Sequence, residues 1–405
     1  MSIGPDTYGE HLVGVLGGTR HATVDGAGTV RPQRALWSLE WWIGGDDRWH
    51  VPAHEAAVRR SLVDDMPVVR TAMRIPGGDA VHEVYGVTGD AVVIDVENAS
   101  PAPFVLAMVV RGATVVARSD TTVLVDSVPA ITALRSPSRW ASSSTGALES
   151  IVTSGGAHEA EMPVLRDRHA TLDCAFLYPV AHRTRLRFAV ALGRHDTAGV
   201  RELDLTAMPD AATVVRGWQA QLARGMRVEL PDPARQSEID AARACVLLAG
   251  QANLPAPAVV AALEDWGFDE EALTAWHRLG FFAKRRAARR DVGASPGSSP
   301  GSMASGSAAL TAAHRLLAIR RQLLREDART LQLFPEWPSA WNGQAVDVRD
   351  APTRLGPVSF SVRWHGERPA LLWEAPAGAQ VCAPGLDPTW ASSDQRGETL
   401  LARAQ

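Results

Sequence analysis

The chain has 405 residues, 46% hydrophobic and 21% charged, with a formal net charge of -4; this is enough for two or three cores and leaves no electrostatic basis for a nucleic-acid or anionic-membrane partner. No uncharged apolar run reaches the ~20 residues that cross a bilayer, and Met1 to Glu10 has no basic segment followed by an apolar stretch, so neither a signal peptide nor a membrane span is expected and the cytoplasm is the expected compartment. The three cysteines, Cys174, Cys245 and Cys382, are far apart and odd in number, which fits a reducing compartment, with no disulfide framework, no metal site and no cofactor expected.

Residues 1–208 read as an antiparallel β-sandwich. Val92, Ile94 and Val96 alternate along one strand, Phe104 to Arg111 and Cys174 to Val180 are apolar runs, and Thr121 to Val128 and Leu186 to Leu192 alternate again. Turn signals such as Gly77-Gly78, Gly89-Asp90 and Gly155-Gly156 separate them, as expected of many short strands stacked in two sheets. No glycine-rich phosphate loop follows a strand, and no βαβ rhythm is present.

The texture changes at residue 209. Val214, Val215, Trp218 and Leu222 recur at helical spacing before Gly225, a helix-ending residue, and a short strand, Met226 to Leu230, leads to the turn Pro231-Asp-Pro233. Residues 209–235 therefore form a linker helix and turn. Helices are expected over Gln236–Gly250, Pro257–Trp266, Asp269–Arg290 and Ala308–Arg329, with Pro257 at a helix start and Asp269 as an N-cap. Residues 292–307, rich in Gly, Ser and Pro, cannot bury a core and read as a disordered loop. From 331 to 405 the pattern returns to β: Val358 to Trp364 alternates, and a turn at His365 to Pro369 leads into Ala370 to Glu374 as a hairpin. The residues from Leu386 read as a loose tail.

This order of parts resembles the six-hairpin glycosidases, which include the bacterial glucoamylase and trehalase type, the disaccharide phosphorylases and the rhamnosidases. The resemblance lies in the helix with Trp218 and the Pro231-Asp-Pro233 linker, in Ala261 to Ala272 with its Gly267-Phe268 turn between helices, and in Phe334-Pro-Glu-Trp-Pro338, Thr353-Arg-Leu-Gly356 and Trp364 near the end. It implies a bacterial glycoside-hydrolase-like protein of carbohydrate metabolism, with an N-terminal sandwich, an α/α helical region and a small C-terminal β-unit. The family's full toroid holds about twelve helices, whereas residues 236–330 can supply about four at ordinary helix lengths. The α/α region is therefore short and incomplete, and the family's acid and base have no counterpart to carry over.

Glycoside hydrolysis requires two carboxylates facing each other across a sugar, ~5–10 Å apart. Glu264, Asp265 and Glu336 are the catalytic candidates, because they lie beside Trp266 and Trp337 in the segments that carry the resemblance; the alternative is that Glu264 and Asp265 are solvated or capping charges at a helix end. The sequence has 13 Trp against 3 Tyr and 8 Phe, and an indole offers an apolar face for a sugar ring together with a polar N–H. Trp37, Glu40, Trp41, Trp42, Trp266 and Trp337 are therefore the substrate-binding candidates. Strand alternation puts Trp37, Leu39 and Trp41 on one face and Glu40 and Trp42 on the other, and the alternative is plain core. Asp46, Asp47, Trp49 and His50 continue this cluster. The His82-Glu83 pair lacks a second spaced metal ligand, and Lys284 to Arg290 is a basic run at a helix end, suited to the helix dipole and solvent.

Three functions are expected from these features. The first is a degenerate family member that binds carbohydrate or serves a structural role in assembly. The second is an active glycosidase on a small oligosaccharide or glycoside, with paired carboxylates where sandwich and helices meet. The third is a subunit whose incomplete helical layer is covered by a second copy or a partner.

Overall fold

The computed structural model describes residues 9–18, 20–167, 170–192, 204–252, 254–280 and 304–402. Among these, the chain is mostly antiparallel β-sheet with six helices and no barrel. It divides into two compact units, residues 1–216 and 217–405.

The first unit holds two antiparallel sheets. One is eight-stranded and runs Glu10–Gly14, His21–Asp25, Val30–Pro32, Ser38–Gly44, Phe104–Ala113, Leu172–Val180 and Arg139–Ser143, with Trp49–His50 added against Ser38–Gly44. The other is nine-stranded and runs Leu165–Arg166, Val115–Ser119, Thr122–Val125, Val128–Ala133, Arg185–Ala191, Ala91–Asn98, Gly78–Val87, Met66–Ile75 and Val58–Val63. Alternate side chains of both sheets meet in one apolar core, including Leu39, Trp41, Ile43, Val84, Ile94, Met108, Phe176 and Phe188. The period of two along a strand explains the sorting: Trp37, Leu39 and Trp41 turn into this core, while Trp42 turns the other way. There it packs with Val109, Ala175 and Leu177 under Leu148 and Val152 of α1 (Leu148–Thr153).

The outer face of the nine-stranded sheet carries a row of charges. Arg70 faces Glu83, Glu83 faces Asp95, and Asp95 faces Arg187 across neighbouring strands. Two buried carboxylates side by side are tolerated because arginines flank them: Arg70 lies 2.6 Å from Glu83 and Arg187 2.8 Å from Asp95. Arg187 also donates to the Met208 carbonyl at 3.0 Å, and the Tyr85 hydroxyl donates to Asp95 at 2.8 Å and to Pro209 at 3.3 Å. This network anchors the segment that enters α2 (Ala211–Leu222).

In the second unit α3 (Pro233–Gly250), α4 (Pro257–Asp265), α5 (Asp269–Arg278) and α6 (Ala304–Leu323) pack together. Asp232 caps α3 by accepting from the Ala234 and Arg235 N–H groups, and Pro233 sits at its first position, where no donor is missed. Asp269 is the first residue of α5 rather than its cap, which is Phe268; with Glu270 and Glu271 it puts three carboxylates at the positive end of the helix dipole. A five-stranded antiparallel sheet runs Arg227–Glu229, Val346–Ala351, Val358–His365, Arg368–Glu374 and Arg396–Leu400.

Several expectations are corrected here. The last helix does not continue to Arg329 but ends at Leu323, and Leu324–Asp327 and Thr330–Leu333 form a hairpin. Thr330–Leu333 pairs in parallel with Gln380–Ala383, so a partner distant in sequence overrides local helical preference. The chain after Leu386 is not loose either: Asp387–Ser392 pairs with Gln380–Ala383 and Arg396–Leu400 with Arg368–Glu374. Nor does α5 run on to Arg290: it ends at Arg278, where Leu279 turns to extended backbone. Residues 304–307 of the expected Gly/Ser/Pro loop already belong to α6, while the Lys284–Arg290 run and the rest of that loop lie outside the described residues.

Burial sets a pH dependence in the first unit. His82 is 1% exposed and stacks on Trp41 at 4.9 Å, and burial drives its imidazole down to about 3; His21 falls to about 4 for the same reason. In the unfolded chain both take a proton near 6.5, so below that pH the unfolded state binds more protons and stability falls with falling pH. The urea midpoint is expected to be full above pH 6.5 and to decline as the pH drops toward about 5. In His82→Gln the decline is expected to shrink by roughly half, because one of the two protons no longer contributes.

Candidate functional site

The second unit contains an open cleft of about 460 Å³ lined by Glu264, Asp265, Glu326, Ala328, Pro352, Thr353 and Arg354. Three segments far apart in sequence build it. The C-terminal end of α4 brings Glu264 and Asp265, the hairpin after α6 brings Glu326 and Ala328, and the loop after strand Val346–Ala351 brings Pro352 to Arg354. The loop is a tight turn: the Thr353 hydroxyl donates to the Gly356 carbonyl, the Gly356 N–H returns to the Thr353 carbonyl at 3.1 Å, and Gly356 has φ +126, which favours glycine.

One buried side chain ties these segments together. Arg320, in the last turn of α6, has a side chain only 5% exposed. Its Nε donates to the Asp265 carbonyl at 3.3 Å, Nη1 to the Leu324 carbonyl at 2.8 Å and Nη2 to the Pro352 carbonyl at 2.7 Å. Nη2 also lies 3.6 Å from the Glu326 carboxylate, which accepts the Arg354 N–H at 3.0 Å. The planar guanidinium fork suits this task because its donors diverge in fixed directions.

Burial pushes the Asp265 carboxyl above its ordinary range, and the Glu326 charge adds to that, while Arg320 and Arg321 oppose it. Glu264 is also raised, first by burial and then by Asp265 and Asp269. Burial lowers Arg320, against the carboxylates of Asp265 and Glu326. The cleft thus presents two carboxyls, Glu264 and Asp265, held above their ordinary range, as sites that bind hydroxyl groups or move protons require.

The sequence candidates separate. Glu264 and Asp265 share the cleft, but as neighbours on one helix end they stand on the same wall; the carboxylate from another element is Glu326, which was not among the candidates. Glu336 is exposed and ion-paired with Arg325, away from the cleft lining. Trp266 is fully buried, donates to the Leu316 carbonyl at 3.2 Å and lies under Arg243. Trp337 is half-buried, donates to Asn342 Oδ1 at 2.9 Å, and packs with Phe334, Trp341 and Trp364.

In the first unit, Trp41 and Trp42 are 1% and 0% exposed, so neither offers a free ring face. Trp41 donates to the Ala27 carbonyl at 2.9 Å; Trp42 donates to Glu40 at 3.2 Å and lies under Arg111, which pairs with Glu40 and Asp173. Trp37 is partly buried against the core. Farther along, His50 lies between Asp47 at 2.9 Å and Glu55 at 3.3 Å.

Among the described residues no group of three or more His, Cys, Asp or Glu side chains is arranged to hold a metal ion, and no helix is long and apolar enough to cross a membrane. The chain matches no protein-family model and no curated protein sequence.

Replacing Arg320 by Met would leave three carbonyls without their donor inside the protein, each at a cost of about 1–3 kcal/mol. Arg320→Met is expected to lower the unfolding free energy by at least about 3 kcal/mol, measured by urea denaturation. Hydrogen exchange should locate the loosening at the end of α4 and in residues 352–356.

Proposed function

We propose that this chain binds carbohydrate through the cleft of its second unit, on a shortened plan resembling that of the six-hairpin glycosidases. In this reading the paired sheets of the first unit correspond to the family's sandwich, the packed helices α3 to α6 to an incomplete α/α region, and the following strands to its C-terminal β-unit. The observation that carries the proposal is the convergence of Glu264, Asp265 and Glu326, with Arg354 at the rim, in a cleft of about 460 Å³. That volume lies in the range of small-ligand sites, ~300–1,000 Å³. Carboxylate oxygens accept from adjacent hydroxyls, an arginine donates back, and a polyol supplies both partners at matching spacing. Asp265, the half-buried one of the four, would form the strongest of these bonds.

Slow glycoside hydrolysis at the same cleft is the second reading, favoured by one feature. A carboxyl raised by burial, Asp265, faces the charge of Glu326 from another element. That is the contrast an acid and its partner carboxylate need.

Calorimetry against a panel of monosaccharides and disaccharides tests the proposal. One or more sugars are expected to bind, and Asp265→Asn and Glu326→Gln are each expected to weaken binding at least about tenfold, the loss of one charge-assisted hydrogen bond. A carboxyl raised on folding costs stability at neutral pH, because the charged form is disfavoured in the folded state. Asp265→Asn is therefore expected to keep or raise the urea midpoint at neutral pH while binding is lost. No heat from any sugar would remove the proposal. Release of phenol from aryl glycosides, abolished by both variants, would move it to the second reading.

A further inference from the structure

Three asparagines occur in the sequence, at 98, 253 and 342, and only Asn342 precedes a glycine. Asn342 follows the short 3-10 helix Ser339–Trp341 with φ -58 and ψ 131, and it is exposed. Gly343 has φ +79, and a β-carbon placed on it would meet nothing within 4 Å. The turn is held by its other groups: the Trp341 N–H donates to Pro338 at 2.9 Å, that of Asn342 to Ser339 at 3.1 Å and that of Gln344 to Trp341 at 3.0 Å. The Gly343 N–H has no such acceptor among the described residues. Asn98 is the opposite case. It is fully buried before Ala99, its side-chain amide donates to the Ala102 carbonyl at 2.8 Å and its oxygen accepts from Ser100.

The second observation is the partner of the Asn342 side chain. The Trp337 indole N–H donates to its Oδ1 at 2.9 Å. An indole nitrogen is only a donor, so it must meet the amide oxygen and not the amide nitrogen. A donor fixed on that oxygen withdraws electron density from Cγ. It also stands where negative charge would develop if a nucleophile added to Cγ, as donors do in an oxyanion hole. Trp337 is held in place by edge-to-face contacts with Phe334 at 5.3 Å and Trp341 at 5.5 Å.

We propose that Asn342 is a modification site that converts to aspartate and isoaspartate through a cyclic imide with Gly343, assisted by Trp337. The Gly343 nitrogen gives its proton to solvent base and bonds to Asn342 Cγ. The charge of the tetrahedral intermediate rests on Oδ1, facing the indole N–H. The Cγ–Nδ2 bond then breaks and ammonia leaves with a proton from solvent, closing the five-membered imide. Water adds to either carbonyl of the ring and opens it to aspartate or isoaspartate. No electrons are exchanged; one amide is replaced by one carboxylate. Glycine at 343 suits the attack because no side chain shields its nitrogen. Aspartate at 342 keeps an acceptor for Trp337, whereas isoaspartate moves the acceptor by one methylene. The conversion therefore changes the seating of the Trp337–Trp341–Trp364 cluster.

The full-length protein, held for days in mildly alkaline buffer and mapped by peptide mass, tests this. The peptide containing Asn342 is expected to gain about one dalton and to split into aspartate and isoaspartate forms, while the peptide containing Asn98 is unchanged. In Trp337→Phe, with an unchanged near-ultraviolet circular dichroism envelope outside the lost indole, conversion is expected to slow roughly tenfold; a partly exposed donor is worth less than one in an enclosed oxyanion hole. If that variant fails to fold, Gly343→Asp carries the comparison, since aspartate tolerates a positive φ and its side chain shields the attacking nitrogen; conversion slows at least tenfold. Asn342 as inert as Asn98 in the wild type, or a wild-type rate in folded Trp337→Phe or in Gly343→Asp, would overturn the proposal.

Discussion

A guanidinium taken out of water must find acceptors, and Arg320 finds three main-chain carbonyls, of Asp265, Leu324 and Pro352. Each belongs to a different segment, and each segment ends at the cleft. This contact adds to the Trp266–Leu316 and Arg354–Glu326 hydrogen bonds in fixing the end of α4 and the 352–354 loop against the hairpin that follows α6. The strands of these segments pair along other edges: the hairpin with Gln380–Ala383, and the strand before Pro352 with Arg227–Glu229 and Val358–His365. Burying a lone cation is costly. Here the partial charges of three carbonyls and the nearby Asp265 and Glu326 carboxylates offset that cost.

The same economy explains why the cleft carries acids at all. Asp265 sits partly buried, raised by its surroundings, next to a second raised carboxyl, Glu264, and within reach of the Glu326 charge. A structure selected for stability alone has little use for that arrangement, since each raised carboxyl weakens the folded state at neutral pH. Groups kept at a cost in stability mark places where chemistry or recognition is the benefit. The buried acids of the first unit follow the contrary rule. Glu83 and Asp95 are each met by arginine, and their network holds the chain that leads into α2. That contrast separates a structural charge network from a candidate site.

Much of the architecture was legible because strands and helices announce themselves by period. The alternation around Val92, Ile94 and Val96, the two-faced Ser38–Gly44 strand with Trp41 and Trp42 on opposite sides, and the Val358–Glu374 hairpin all follow from side-chain direction. The hairpin Leu324–Leu333 was not legible, because its strand pairs with Gln380–Ala383, a partner that no local window contains. The site shows the same divide. Glu264 and Asp265 could be picked from the residues around them, although the tryptophan that drew attention to them, Trp266, is itself core. Glu326 and Arg320 were missed because they act only after the chain has folded back. Tryptophan content also misled: indoles that look like sugar platforms in sequence serve as packing in Trp41, Trp42 and Trp266, each with its N–H satisfied inside the protein.

Arg320 holds Asp265 in a cleft whose burial, with the neighbouring Glu326 charge, keeps its carboxyl above the ordinary aspartate range. Carbon-detected magnetic resonance of the Asp265 side-chain carboxyl, followed across a pH titration, measures this directly. A midpoint clearly above the ordinary value of 3.8, lowered when Glu326 is replaced by Gln, is the predicted result. A midpoint at or below the ordinary value, unmoved by that substitution, would contradict the account.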